Sequence, residues 1–245
     1  MKLSAFLLLL LILACNPKKI ELTAVEIIEK SMRYSGAEKV ANAKIKFVFR
    51  DKEYAAVRKN GAFELSRHYL TKDSLNVREI LSNSGCQRFI NDKRVVISDS
   101  SSNNFSNSVN SVHYFSVLPF GLNDAAVQKK RLKSVRIKGK EYYKIEVSFY
   151  ENGGGEDFDD VFIYWIGKES FLIDYLAYSY HTNGGGMRFR EVKDRSINSG
   201  IRFVNYNNYE PVVSGILLKD IDSAYENAGL KKVSEINLEM IEVQL

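Results

Sequence analysis

Cysteine, proline, histidine and tryptophan are all scarce in this chain of 245 residues, at two, three, three and one. Each scarcity excludes something. Two cysteines cannot make a disulfide-rich scaffold, so the fold must rest on an apolar core. Three prolines, with 45% apolar and 27% charged residues, exclude extended disorder. The histidines, His68, His113 and His181, fall on three separate segments without metal-ligand spacing and without an evident Cys or Asp partner. They give neither a metal centre nor a nucleophilic triad, and they read as structural. No cofactor is expected either. Ser100–Ser102 lacks the Gly-x-Ser-x-Gly elbow, and Gly184-Gly185-Gly186 lacks the Gly-x-x-x-x-Gly-Lys spacing of a phosphate loop. The formal charge is +5, or +4 without Lys2, and no dense Lys/Arg block occurs, so nucleic acid is not an expected partner.

Only one long apolar run exists, Phe6 to Leu13, behind the positive Lys2. It is too short for a helix across ~30 Å of hydrocarbon and fits the apolar region of a secretory signal peptide. It ends in Ile12-Leu13-Ala14-Cys15, which resembles the lipobox of bacterial lipoproteins. That resemblance implies cleavage before Cys15 and a diacylglyceride on its thiol, with residues 1–14 as signal, 15–20 as tether and 21–245 as one domain. An ordinary signal peptide with an incidental Cys15 is the plainer alternative. Each buried methylene is worth ~0.8 kcal/mol, so several chains on one Cys anchor durably. Lys18 and Lys19 could meet anionic headgroups or simply be solvated. With Cys15 committed to lipid, Cys86 has no thiol partner; it reads as a small buried hydrophobe, with a catalytic thiol as the alternative.

Thr23 and Glu26 have capping-box spacing, Leu22 and Ile27 match a hydrophobic staple, and Leu22, Val25, Ile28 and Met32 repeat at helical intervals up to Ser35-Gly36. The period then switches to two. Ile45, Phe47 and Phe49 alternate with polar or smaller neighbours, and short strands follow at 53–59, 62–69, 75–82, 88–91 and 94–98, with turns at Asp51-Lys52, Asn60-Gly61 and Asn91-Asp92-Lys93. The Ser- and Asn-rich stretch 99–111 reads as an exposed loop. The apolar segment 112–122 reads as a helical lid stopped by Pro119, and Asp124 as the cap of another short helix. Strands return at 134–137, 142–150, 160–167, 171–181, 187–193, 201–209, 216–221 and 236–243. Asn152-Gly153-Gly154-Gly155 recurs as Asn183-Gly184-Gly185-Gly186, which reads as two similar loops. The expected architecture is mainly β (α+β), a large curved antiparallel sheet that must curl, close or be covered.

Three features bear on binding. Glu156-Asp157-Phe158-Asp159-Asp160 is acidic enough to suggest calcium, but lacks EF-hand spacing and reads as a solvated turn or a partner-binding loop; no metal site is assigned. Arg188 and Arg190 share a strand face, with Arg195 beyond; this is either a polar outer face or an anion-binding one. Phe162, Tyr164 and Ile166 fall on one face of their strand, Val161, Ile163 and Trp165 on the other, and Tyr175 and Tyr178 on opposite faces of the next strand. Two apolar faces imply burial on both sides, as packed core or as the wall of an apolar ligand cavity.

Ile27–Ser31 through Ser35-Gly36, followed by the strand at 43–50, resembles the opening of outer-membrane lipoprotein-sorting proteins, the Lol-type carriers and receptors. Tyr114–Phe120, Gly153–Asp157, Asp174–Tyr178 and Gly185–Arg190 resemble an uncharacterised family of predicted lipoproteins, a likeness that covers most of the chain after Cys15. The Lol-type resemblance implies an incomplete β-barrel with an N-terminal helix and a central helical lid, holding acyl chains in its concave face. Fold alone does not transfer function. The expectation is a membrane-anchored lipoprotein of the cell envelope that binds an apolar ligand, an acyl chain, lipid or lipoprotein. Tyr114, Phe115, Leu118, Phe120, Trp165, Tyr175, Arg188 and Arg190 are its candidate ligand-binding residues, and no catalytic residue is assigned. A structural lipoprotein with a filled core that meets an envelope protein is the alternative. A hydrolase stands last, since no triad, metal set or acid/base pair is legible.

Overall fold

A computed structural model describes residues 21–150, 160–180 and 185–245. The signal, Cys15, the tether, the acidic turn up to Asp159 and His181 lie outside the described residues.

Helix α1 (Ala24–Ser35) starts at the capping box. Glu26 N donates to Thr23 Oγ1 at 3.2 Å, and Thr23 N donates to Glu26 Oε2 at 2.7 Å. Gly36 ends it at φ +70°, and a Cβ there would run into the carbonyl oxygen of Gly200. Left-handed backbone and close approach both require glycine at this position.

A 3₁₀ turn (Ala37–Asn42) leads into a meander of β1 (Lys44–Phe49), β2 (Lys52–Lys59), β3 (Ala62–Leu70), β4 (Asn76–Ser82), β5 (Gly85–Ile90) and β6 (Lys93–Val95). Asn60 and Gly61 both take positive φ (51° and 83°), as a two-residue hairpin with right-handed twist needs. Ile45, Phe47, Tyr54, Ala56, Leu65 and Val77 are buried, while Lys44, Lys46, Glu53 and Val57 are exposed. One face of this sheet is therefore core and the other meets water. The last strand, β15 (Leu238–Gln244), pairs with β1 and completes seven strands.

The second sheet holds β7 (Val127–Arg131), β8 (Val135–Ile137), β9 (Lys140–Phe149), β10 (Phe162–Gly167), β11 (Ile173–Tyr180), β12 (Gly186–Asn198), β13 (Ile201–Pro211) and β14 (Leu230–Ile236). Its order is β14-β13-β12-β11-β10-β9-β7, with β8 on β9. Only Asn237 separates β14 from β15, so the two sheets abut there. Asn205 Oδ1 accepts the Leu238 N–H at 2.8 Å and holds the corner. Strands β6 and β7 are the outer edges and do not pair, so the barrel stays open. Helix α2 (Asp99–Ser116) joins these edges through its flanking segments and packs on β3, β4 and β5.

Every residue of β10 is buried. Phe162, Tyr164 and Ile166 meet Ile27 and Ile28 of α1 together with Leu118 and Leu122. Ile163 and Trp165 face the other way, into a cluster with Ile137, Tyr175, Phe189 and Ile221 of helix α3 (Ile221–Glu226). Each fully buried large side chain is worth about 1.5–3 kcal/mol, so this doubly covered strand anchors the fold. Two groups of buried ion pairs pin the covering helices. Glu79, inaccessible to solvent, pairs with Arg67 and with Arg88 at 2.8 Å; Arg67 also donates to Ser108 Oγ of α2 at 2.6 Å, and Arg88 lies 4.3 Å from the Phe105 ring of α2. Lys144 of β9 pairs with Asp222 of α3 at 2.7 Å and also donates to the Lys219 carbonyl.

Several expectations fail, for local reasons. The segment 99–111 is helix, not loop: Ser98 caps it by accepting the Ser101 N–H, and fully buried Val109 anchors it. Packing overrides the weak propensity of Ser and Asn. Asp124 caps no helix; the chain enters β7 at Val127. The strand read at 216–221 is a 3₁₀ turn (Leu218–Asp220) running into α3, whose Leu218, Ile221 and Tyr225 pack at helical spacing on the outer side of the second sheet. The single strand read at 236–243 is two strands broken at Asn237, and β7 and β14 went unread. Trp165 is covered by α3.

Candidate functional site

A cavity of about 540 Å³ lies between α2 and the concave face of the second sheet, near the corner where the sheets abut. That volume falls within the ~300–1,000 Å³ of small-molecule sites. Strand register builds its floor. Phe162 of β10 lies opposite Tyr178 of β11, and Tyr178 lies opposite Arg188 of β12. One row further along, Tyr164, Leu176, Arg190 and Asn208 are in register across β10 to β13.

Helix α2 supplies the roof with Tyr114 and Phe115. The Phe115 ring sits 5.4 Å from Tyr178 and 6.1 Å from Phe162, and Phe149 meets Phe162 edge-on at 5.7 Å. Tyr114 Oη and Tyr164 Oη are 3.0 Å apart. Burial pushes both phenols well above their ordinary range, so both hydroxyls stay protonated. Tyr206 is likewise pushed up to about 12 by burial, against the opposing pull of Arg202 and Arg190. Asn107, Asn110 and Ser111 of α2 form a polar rim.

Two arginines enter this apolar wall. Arg190 is only 8% exposed. Its guanidinium carbon stands 4.1 Å from the Phe115 ring centroid and 5.0 Å from that of Tyr178, and one Nη donates to Tyr178 Oη at 2.8 Å. Its Nε–H is buried without an acceptor. Arg188 is nearer the mouth. It pairs with Glu210 at 3.3 Å and lies 5.4 Å from the Tyr180 ring. Asp160 is the one carboxylate on the cavity wall among the described residues. The outward, solvated reading of Arg188 and Arg190 is corrected: their face is the inner one.

Of the eight candidate ligand-binding residues, Tyr114, Phe115, Arg188 and Arg190 come together at the cavity. Leu118 is buried in the core beneath α1. Phe120 packs at the sheet corner under the Arg58 guanidinium, 5.4 Å away. Trp165 and Tyr175 lie on the opposite face of the sheet, against α3. Sequence reasoning missed Phe49, Phe149, Val204, Ile236 and Leu238 on the cavity wall. The parity of each strand was readable, but not that the sheet corner brings β1, β14 and β15 to one spot.

The other titratable candidates sit elsewhere. His113 is buried with Nε2 3.0 Å from Ser66 O, and burial lowers its pKa to about 4. His68 lies between Glu53 and Asn76 on the first sheet. Burial, with Glu79 nearby, pushes the half-buried Cys86 thiol up, away from the reactive thiolate. No group of three or more metal-ligating side chains occurs among the described residues.

The arrangement defines a class: an open, mainly β protein of two abutting antiparallel sheets whose concave face is roofed by helices over an aromatic cavity. Residues 2–238 match the model of a family of unknown function (DUF6503), and the chain belongs to that family. No curated protein matches the sequence. Three solved structures are similar to it in fold. A LolA superfamily protein from Nitrosomonas europaea is 10% identical with a TM-score of 0.48, over 92% of this chain and 93% of that one. A DUF1329 family protein from Desulfovibrio piger is 10% identical with a TM-score of 0.47, over 92% and 95%. A putative outer membrane lipoprotein-sorting protein domain from Vibrio parahaemolyticus is 8% identical with a TM-score of 0.43, over 89% and 93%. These likenesses concern the course of the chain and bring no function with them.

Proposed function

We propose that the protein is a lipid-anchored envelope protein, tethered through Cys15, that holds a single acyl chain in the cavity beneath α2. The observation that carries this reading is the open, aromatic-walled volume of about 540 Å³. At ~30 Å³ per water-sized unit that volume is enough for one long chain. The space is open, which favours a ligand over the filled core of a purely structural lipoprotein. The aromatic wall supplies apolar contact, while the polar rim at Asn107, Asn110 and Ser111 leaves a wet mouth through which a chain can enter.

Photo-crosslinking tests it. The full chain, reconstituted in phosphatidylcholine vesicles, is irradiated with a diazirine-bearing palmitate analogue and the adducts are mapped by mass spectrometry. Adducts on peptides carrying Phe115, Phe162 or Tyr178 are expected, and Val112→Trp, which fills the space, should abolish them. No adduct, or adducts only on the exposed outer face of the first sheet, overturns the reading. The anchor is tested separately: metabolic labelling with an alkynyl fatty acid should mark the wild type and not Cys15→Ser.

A further inference from the structure

We infer that the cavity selects an oxyanion-headed amphiphile, with Arg190 as the residue that receives the head; the inference rests on the acyl-chain reading above. A pocket meant for hydrocarbon alone has no use for a cation in its wall. Taking a guanidinium out of water is costly unless partners replace the lost hydration. Arg190 is more than nine-tenths buried, and its partners are incomplete. Two aromatic faces at 4.1 and 5.0 Å and one phenol oxygen at 2.8 Å compensate part of the cost. The buried Nε–H has no acceptor among the described residues. Arg190 lines the cavity and its guanidinium presents N–H groups in a flat fork; the spare Nε–H is shut off from open solvent, so an oxyanion would engage it only as the guanidinium turns toward the cavity.

Among the described residues the cavity wall carries two arginines and one carboxylate, Asp160. Arg188 is next but one to Arg190 along β12, on the same face, and is already engaged with Glu210. Phe115 belongs to α2 and stacks directly on Arg190, so the roof closes over the charged end of the ligand. Tail carbons would then run along Phe162, Phe149 and Val204. Carboxylate and phosphate monoester share the chemistry that Arg190 reads: a compact group with two or more anionic oxygens.

Competition against the palmitate photo-crosslink on the full chain separates the possibilities. The competitors are palmitate, monohexadecyl phosphate and hexadecanol, equal in chain length and different only in the head. Wild-type protein should prefer one or both anions over the alcohol by roughly 10–100-fold, the range of one charge-assisted contact in a dry site. Palmitate ahead of the phosphate identifies a fatty acid head, and the reverse order a phosphomonoester head. Arg190→Gln should reduce the preference to about one while hexadecanol still competes; Arg190→Lys should keep part of it; Arg188→Gln should change it less than twofold. Urea unfolding of each variant reports whether the fold is intact, and the wild-type comparison stands without any variant. Equal competition by all three amphiphiles, or an anion preference that survives Arg190→Gln in a folded protein, overturns the inference and leaves the acyl-chain reading in place. Competition by none of them, with no crosslink in the cavity, overturns the acyl-chain reading itself.

Discussion

Replacing His113 by Gln should change how the stability of the fold depends on pH. His113 sits on α2, 1% exposed, with its ring edge-on to Phe47 at 5.7 Å and to Tyr54 at 5.5 Å. Burial lowers its pKa to about 4, against the opposing pull of the hydrogen bond with Ser66 O and with a smaller push from Arg58. In the unfolded chain the same group titrates near ~6.5. The unfolded state therefore binds the proton first, and the fold accepts the neutral ring. The contribution of His113 to stability is complete above pH ~6.5, falls as pH drops toward about 4, and is flat below that. The gap is worth at most ~3 kcal/mol at ~1.4 kcal/mol per pH unit. Gln keeps a donor for Ser66 O but cannot titrate. Urea unfolding of both proteins across this window should show the wild type losing its advantage by about that amount, with carboxylate titrations common to both cancelling. Parallel curves would refute the assignment of a buried neutral imidazole.

Other perturbations test the remaining joints. Glu79→Gln leaves Arg67 and Arg88 facing a neutral amide in the interior and should cost about 3 kcal/mol in urea unfolding, with amide exchange in Asp99–Ser116 accelerated more than in β10; an unchanged midpoint would refute it. Asp222→Asn should cost about as much by orphaning Lys144 under α3. Gly36→Ala, forced to φ +70° against the Gly200 carbonyl, should lower stability by more than ~1 kcal/mol in thermal unfolding, and a neutral result would mean that the two segments part easily. Trp165→Phe should destabilise by about 1–2 kcal/mol yet leave cavity crosslinking unchanged, because the indole lies on the far side of the sheet.

Much of the first sheet was legible because each strand has one wet face. Ile45 and Phe47 alternate with exposed lysines, and Asn60-Gly61 and Asn91-Asp92 take the positive φ angles that two-residue turns demand. The capping box of α1 was readable to the residue. The second sheet was legible as strands but not in its environment. β10 is apolar on both faces, and a run of that kind says that it is buried, not what covers each side. Helix α2 was hidden because its apolar stripe is thin. Phe105, Val109, Val112 and Ser116 stand at helical spacing among Ser and Asn, and what fixes the helix is Arg67, Arg88 and Glu79, far off in sequence. Half of the candidate site failed for the same reason: parity places Trp165 opposite Tyr164, but no local signal says which of the two looks into the cavity.

Charge placement shows where structure and site diverge. Glu79 with Arg67 and Arg88, and Lys144 with Asp222, are buried charges that answer one another, and each ties a covering helix to a sheet. Their cost is offset internally and they need nothing more. Arg190 is as deeply buried, but aromatic faces and a phenol are what it meets, and one donor is left over. A sequence obeying only the rules of folding would place Leu or Val in that row, as it does at Leu176 beside it and Val204 nearby. Departures of this kind are expected where a fold serves something besides its own stability. Tyr178 extends the argument, since its hydroxyl orients Arg190 while its ring packs on Phe115 and Phe162. Tyr178→Phe removes only the oxygen. Under either reading that variant should cost about 1–2 kcal/mol, as a buried donor loses its acceptor. If Arg190 is held ready for a ligand, anion preference should also weaken several-fold; if Arg190 is merely structural, the preference should stay as it was.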